Sequence, residues 1–202
     1  MSGTSTESDT GSQPSVVNPG HESLKERVED LIQFIDSHKF CLMTTRQKNS
    51  EYLVSRCMAV AAREGIDILF HTDTESGKTD ELVGDPHVNI GFLKESTGDW
   101  ASVSGTACII TDRELVKKYY SNQLKAWVGD LGDGVHDGGP NDPRVGVIKI
   151  HMRTATYCLS QGNAFTRGIE VAKGSITGKP AQVNKLRELT ESELDMYRTL
   201  IS

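Results

Sequence analysis

The sequence predicts a mainly β protein, built as a six-stranded antiparallel barrel with flanking helices. Apolar, β-branched segments recur between residues 40 and 160, and most of the links between them are short. Short links favour antiparallel pairing of consecutive strands, and about six such strands can close into a barrel. The pattern lacks the regular alternation of strands and helices that a doubly wound parallel sheet requires.

Composition predicts one domain with tails. The chain has 202 residues, of which 25% are charged and 36% hydrophobic, and its net charge is −6. This acidic balance, without a strongly basic block, argues against a nucleic-acid partner. The longest apolar stretches are far below the roughly 18 residues that cross a bilayer, so no membrane association is expected.

The cysteines predict a cytoplasmic protein without a metal site. There are four of them, widely spaced, and no pair has the C-x-x-C spacing of a zinc knuckle or thioredoxin-type site. We expect small buried thiols in a reducing compartment.

The first ordered element is expected to be a helix from about residue 23 to residue 37. Residues 1–20 are rich in Ser, Thr, Gly and Pro and are predicted to be a disordered tail. The helix is indicated by apolar residues at helical spacing, namely Leu24, Val28, Leu31, Ile32 and Ile35.

Six strands and two further helices are predicted next. One helix covers about residues 76–83 and ends before Pro86, and the other starts at the N-cap Asp112 and reaches Leu124. Glycine and aspartate at nearly every position predict a surface loop at 129–143. The predicted strands are 40–45, 52–62, 66–72, 87–94, 100–111 and 145–160.

The barrel domain is expected to span residues 21–160. Residues 161–202 are expected to form a C-terminal extension that is partly helical. The helix is indicated by Thr190-Glu191-Ser192-Glu193, a capping pattern that precedes several apolar residues.

Ser76, Gly77 and Lys78 carry the clearest chemical signal. They follow a predicted strand and open a helix, where backbone N–H groups and partial positive charge favour a phosphate. The run Gly77-Lys78-Thr79 mimics the end of a P-loop, but Thr72 stands where that motif needs its first glycine. Nucleoside triphosphate hydrolysis is therefore not expected, whereas binding of another phosphorylated ligand is.

Two motifs follow each other along the predicted strands, Arg56-Cys57-Met58-Ala59 on the second strand and residues 72–78 after the third. At matching spacing they resemble the R-x-M strand and the phosphate turn of the FMN-binding split-barrel family, which includes pyridoxamine 5'-phosphate oxidases. Late segments are similar to the general stress protein branch, in particular its fungal blue-light-induced type. The later matching segments are 88–92, 100–107, 125–127 and 141–144.

The resemblance implies a split barrel and a homodimer, with FMN at the subunit interface; FAD or a deazaflavin is an alternative cofactor. It assigns Arg56, Thr72, Ser76 and Lys78 to the flavin phosphate, and Gly77 would let the backbone approach closely. An arginine offers a planar fork to phosphate oxygens, while a lysine acts as a point charge.

The two cations also have ordinary explanations. Arg56 could be an outward strand residue that pairs with Glu51 or another carboxylate. Lys78 could be a solvated helix residue that faces Asp80 or Glu81.

The resemblance also assigns residues to the flavin ring. Met58 and Ala59, next to Cys57, would lie under the ring, although a methionine on a strand is more often plain barrel core. His71 would contact the cofactor beside Thr72, and its alternative is a hydrogen-bonded structural histidine.

Two tryptophans are assigned to the cofactor in the same way. Trp100 would contact the isoalloxazine. Trp127 would help to cover the flavin, either the one in its own subunit or the one in the other subunit. Its alternative is that Leu124 and Trp127, three residues apart, pack a helix on the barrel.

The functional prediction is a flavin-dependent oxidoreductase of a small molecule in a stress-related role, with a nicotinamide as electron donor. The alternative is a stress or light-response protein that binds flavin without turnover. Pyridoxamine phosphate chemistry is not expected, because Cys158 replaces a tryptophan and residues 163–167 lack the Arg-Leu-His cluster of those oxidases. No catalytic residue is predicted, since the cofactor would supply the redox chemistry.

Overall fold

A computed structural model describes residues 20, 22–160 and 184–201 of the chain. It confirms the mainly β antiparallel barrel. The predicted disordered tail lies outside the described residues except for Gly20, as does the first half of the C-terminal extension. The domain boundaries themselves stay a prediction.

One sheet contains the seven strands of the described residues: β1 (Phe40–Arg46), β2 (Leu53–Glu64), β3 (Asp67–Asp73), β4 (His87–Lys94), β5 (Asp99–Ile110), β6 (Val145–Ser160) and β7 (Asn184–Leu189). The order is β3-β2-β1-β4-β5-β6-β7, and β3 also pairs with β6, so that the first six strands close a barrel. All pairings are antiparallel.

The long strand β6 explains why the barrel is split. Its first part pairs with β3, where Ile150 lies opposite Ile68. Its last part pairs with β7, where Ala155 lies opposite Leu189. One edge of β6 therefore serves two partners in succession. A register shift between Ser104 and Gly105 adjusts β5 to β6 at this point.

Alternation along the strands fills the barrel with apolar side chains. The interior cluster includes Met43, Phe70, Ile90, Val103 and Ile150, all fully buried. A second cluster, here called the outer cluster, lies on the other side of β3 and β6. It consists of Leu69, Val116, Leu124, Val145 and Val147.

Helices cover the barrel: α1 (Leu24–Asp36), α2 (Gly77–Gly84), α3 (Arg113–Tyr119), α4 (Lys125–Val128) and α5 (Glu191–Ile201). The start of α1 is fixed by a capping box in which Ser23 and Glu26 satisfy each other's backbone N–H groups. Such caps typically contribute about 1 kcal/mol. Among the described residues, no helix has the length and apolarity needed to span a bilayer.

Three expectations need correction. The helix after Asp112 is not continuous to Leu124, because Tyr120 has an extended backbone (φ −55°, ψ 139°) and its hydroxyl donates to the Gly138 carbonyl at 2.9 Å. Strand β7 was not predicted. Two of the four thiols are not buried: Cys57 and Cys108 are exposed.

Candidate functional site

Strand β2 presents the R-x-M segment with its side chains on alternate faces. Arg56 and Met58 are partly buried, and Met58 packs against the interior cluster. Cys57 and Ala59 are exposed on the opposite face. Of the two interpretations of Met58, the barrel-core one is therefore confirmed, whereas a contact with the cofactor stays a prediction.

Arg56 is attached to helix α2. Its guanidinium donates to the Thr45 hydroxyl at 2.8 Å and to the Glu81 carboxylate at 2.5 Å. Thr45 donates to the same Glu81 oxygen at 2.7 Å. The arginine and glutamate side chains are only 23% and 13% exposed. Arg56 thus pairs with a carboxylate, as its ordinary explanation requires, but it shares the inward face of β2 with Met58 and does not point outward. The pair also directs the guanidinium toward α2.

The turn between β3 and α2, residues 73–78, is organised around one carbonyl group. The Asp73 carbonyl accepts the hydroxyl groups of Thr72 at 3.0 Å, Ser76 at 2.6 Å and Thr79 at 3.1 Å. It also accepts the backbone N–H of Ser76 at 3.2 Å. These contacts fix the entry of the chain into α2.

The first turn of α2 is not capped by its own N-cap side chain. Ser76 has the extended backbone of an N-cap, but its hydroxyl makes no capping hydrogen bond, because it donates to Asp73. The first N–H groups of a helix have no partner within the helix. A Cβ added at Gly77 would meet no described atom within 4 Å, so this surface is open to a ligand.

Lys78 lies in the same place as a half-buried cation. Its ammonium group donates to the Ser76 hydroxyl at 2.7 Å, which is a neutral partner rather than a carboxylate. Burial lowers the pKa of Lys78, the nearby Asp73 carboxylate opposes that shift, and the positive charge of Arg56 adds to it. The charge of Arg56 reaches Lys78, so the two cations lie within electrostatic range of each other, as the proposed phosphate site needs.

Carboxylates balance the two cations. Glu81 pairs with Arg56, and Asp73 interacts electrostatically with Lys78. Arginine has five N–H donors, and the contacts to Thr45 and Glu81 account for two of them. Further N–H groups of Arg56 can therefore serve a phosphate without breaking the Glu81 pair.

His71 lies on the other side of β3, toward the outer cluster. Its Nε2 is 2.6 Å from the Tyr119 carbonyl at the end of α3. The histidine therefore has the structural hydrogen bond of its ordinary explanation, and its contact with a cofactor stays a prediction.

The exposed side of β1, β2, β4 and β5, here called the outer face, carries Trp100. A shallow depression of about 430 Å³ on this face brings Trp100 together with Cys57. Large apolar side chains around it are exposed to solvent. They are Phe40, Leu42 and Leu93, with exposed fractions of 54–65%.

Trp127 lies on α4 and is 87% exposed. Leu124, three residues earlier, is buried in the outer cluster. The interpretation that both residues pack a helix on the barrel is therefore wrong for Trp127. Its role as a cover for the flavin stays a prediction.

The structure thus brings Arg56, Thr72, Ser76, Gly77 and Lys78 to one end of the barrel. Cys57 and Trp100 share the outer face, and His71 and Trp127 lie elsewhere. Sequence reasoning missed Thr45 and Asp73, and it named Glu81 as a partner of Lys78 rather than of Arg56. For Thr45 a signal existed, since it continues the inward alternation of buried Cys41 and Met43 along β1.

Comparisons with known proteins agree with this architecture. A family model described as pyridoxamine 5'-phosphate oxidase like matches residues 26–182. Protein bli-3 of Neurospora crassa is 61% identical over 178 residues, which cover 87% of this chain and 85% of that protein.

Solved structures give the same fold. General Stress Protein 26 of Bacillus anthracis has a TM-score of 0.55 at 25% identity, covering 65% of this chain and 93% of that chain. A Nostoc punctiforme protein described as pyridoxamine 5'-phosphate oxidase-related and FMN binding has a TM-score of 0.52 at 12% identity, covering 72% and 93%. The second likeness is one of fold alone.

Proposed function

This chain belongs to the pyridoxamine 5'-phosphate oxidase-like family, and from that premise we propose that it binds flavin mononucleotide through the start of α2. The observation that carries the proposal is the state of Lys78. It is a half-buried cation, held by a neutral hydroxyl, at a helix N-terminus whose N-cap side chain is turned away. Such a group is stabilised when an anion joins it.

The phosphate would be bound by short contacts from three directions. Lys78 provides a full charge, the N–H groups of Gly77 and Lys78 provide the helix terminus, and Arg56 provides part of its fork. The open surface at Gly77 lets the phosphate reach the backbone. A relative of the same fold that is described as FMN binding supports this choice of ligand.

For the bound flavin, the proposed activity is oxidation or reduction of a small molecule with a nicotinamide as electron donor. The Nε2 atom of His71 is engaged by the Tyr119 carbonyl, so this nitrogen is not available to the cofactor as an acid or base. Hydride transfer needs no such group, because the flavin itself supplies the chemistry. A flavin-binding protein without turnover is the competing function.

We also propose a homodimer with the outer face as its interface. The exposed leucines and Phe40 form an apolar patch around the depression that holds Trp100. Contiguous apolar surface of this kind is typical of association sites. A second copy seated there would enclose the flavin ring, which one barrel leaves open on this side.

Two measurements test the proposal. Protein purified without added flavin is denatured, and the released chromophore is identified; FMN is expected, and FAD or a deazaflavin would correct the cofactor. The holoprotein is then mixed anaerobically with NADH or NADPH. Rapid bleaching of the flavin supports an oxidoreductase, whereas persistent colour with bound FMN supports binding without turnover. Failure to retain any flavin would overturn the proposal.

A further inference from the structure

The segment that carries Trp127 is held by a buried ion pair. We call residues 125–138 the Trp127 arm; it consists of α4 and the glycine-rich loop after it. Its exposed side presents Trp127, Leu131 and Val135. The predicted surface loop is thus only partly at the surface, because Gly138 at the end of the arm and Asp142 beyond it are buried.

Asp142 closes the base of the arm. Its side chain is completely buried, and the two carboxylate oxygens accept four hydrogen bonds. One comes from the Gly138 backbone at 2.7 Å, and three come from the backbone and guanidinium of Arg144. Hydrogen bonding by Arg144 lowers the pKa of Asp142 to about 2. The carboxylate is therefore ionised at neutral pH.

Arg144 connects that carboxylate to the end of α4. Its Nη1 donates to the Val128 carbonyl at 3.3 Å, and its Nη2 donates to the Gly129 carbonyl at 2.9 Å. Carbonyl groups at a helix C-terminus lack partners within the helix, and a cation stabilises them. The side chain of Arg144 is only 7% exposed. Trp127 is the residue immediately before these carbonyls.

The backbone of Arg144 is hydrogen-bonded to the turn between β3 and α2. The Arg144 carbonyl accepts the Thr74 N–H at 2.7 Å, and the Thr74 hydroxyl donates to the Pro143 carbonyl at 3.4 Å. The turn packs closely against the start of β6, since a Cβ added at Gly146 would lie 2.6 Å from the side chain of Thr74. Thr74 is four residues before Lys78, in the turn that opens α2.

We propose that the Asp142–Arg144 pair positions Trp127 relative to the turn between β3 and α2, where the mononucleotide would bind. The guanidinium fixes the end of α4, and the carbonyl of the same residue fixes Thr74. Arg144 is a positioning residue that touches no reacting atom. That this position of Trp127 matters for flavin binding rests on the proposed function. The restraint on Trp127 itself does not.

Removing the Arg144 guanidinium should release the Trp127 arm without unfolding the barrel. The substitution Arg144→Gln keeps a polar side chain but cannot reach both carbonyls and Asp142 at once. A buried partner left without its counter-charge is destabilised, so Asp142 will draw in water and the loop will open. The expected result is at least about a twofold rise in fast nanosecond motion of Trp127.

The experiment uses the full chain with Trp100→Phe, so that Trp127 is the remaining indole of the two in the sequence. Time-resolved fluorescence anisotropy of Trp127 is measured first without flavin and then with FMN added. Arg144→Lys keeps the charge but offers a point donor, and it should restore the restraint only in part. Arg187→Gln is the matched control, because Arg187 is equally buried but pairs with Glu22 beside α1.

The outcomes are distinct. Loosened Trp127 in Arg144→Gln but not in Arg187→Gln, at a similar loss of thermal stability, supports the positioning role. Equal anisotropy in folded Arg144→Gln and the parent, or equal loosening in the control, overturns it. If Arg144→Gln does not fold, Asp142→Asn is read in the same way. Absence of FMN binding by the chain that keeps Trp100 would overturn the proposed function alone, since the flavin-free comparison still decides the restraint.

Discussion

Replacing Lys78 by methionine should weaken FMN binding without destabilising the flavin-free protein. Methionine keeps most of the length and apolar stem of lysine and removes the charge. Burial lowers the pKa of Lys78, which means that the folded protein disfavours the charged form. Without a bound anion the ammonium group is therefore a cost to folding, and its removal relieves that cost.

The direction of the pH effect follows from the lowered pKa. The folded protein releases the Lys78 proton more readily than the unfolded chain, whose lysine titrates near its ordinary value of 10.5. Stability from this group therefore rises with pH between the lowered pKa and about 10.5. Lys78→Met should lack that alkaline rise, and at neutral pH its Tm should equal or exceed that of the parent.

The loss of affinity should be large by comparison. A hydrogen bond to a charged group contributes about 1.5–3 kcal/mol. At about 1.4 kcal/mol for each factor of ten, the Kd for FMN should rise about 10- to 150-fold. The dependence of Kd on salt should also decrease, because one cation no longer contacts the phosphate.

Isothermal titration with FMN and thermal unfolding in its absence measure the two effects. Lys48→Met is the matched control, since Lys48 pairs with Asp80 on α2 but is largely exposed. It should leave the Kd within about twofold, as surface ion pairs contribute little. A Lys78→Met protein that binds FMN like the parent, or that unfolds several degrees earlier without flavin, would refute the reasoning.

Three further predictions follow from burial and charge. Leu42→Asp should convert a dimer to a monomer in sedimentation, because losing two buried leucines costs about 3 kcal/mol or more; a dimer of unchanged stability would contradict the interface. With a thiol reagent, exposed Cys108 should react at once, and Cys57 should react only on dilution to monomer. Burial raises the pKa of Cys41 to about 12, so this thiol should react only after unfolding, and early labelling of Cys41 would contradict its buried environment. Asp142 stabilises the fold above the ordinary carboxyl pKa of 3.8 and loses that effect as the pH falls to about 2, so Asp142→Asn should flatten the acid limb of Tm against pH; an unchanged limb would contradict it.

Except for the short helix α4, which was not predicted, the elements from α1 to β6 could be predicted because each has a local signal. Apolar alternation identifies the strands, and Ser23, Asp112 and Thr190 mark helix starts. Strand β7 lacked such a signal. Its inward residue Arg187 is almost fully buried beside Tyr157, and a charged residue in a polar segment does not indicate a core position. The break at Tyr120 depends on the distant Gly138 carbonyl, which local propensity cannot reveal.

For the site, the sequence predicted which residues are close together but not what holds them. Period-two alternation places Arg56 and Met58 on one face of β2. That the guanidinium meets Glu81 depends on how α2 packs over β1, a tertiary fact. The contacts of Arg144 with Gly129 and Thr74 likewise join separate segments of the chain, and the resemblance gave the residues without their function.

The balance of charges indicates how such a site can bind a dianion. Arg56 and Lys78 contribute two positive charges, and Glu81 and Asp73 offset them, so long-range attraction to a phosphate is weak. Affinity must then come from short hydrogen bonds in a half-buried place, where the effective dielectric is low. Glu81 orients the fork of Arg56 and the Ser76 hydroxyl orients the ammonium group of Lys78, which lowers the entropy lost on binding because both donors are already in position. The pairing of Arg56 with Glu81 is therefore compatible with phosphate binding, and it makes specificity depend on geometry rather than on net charge.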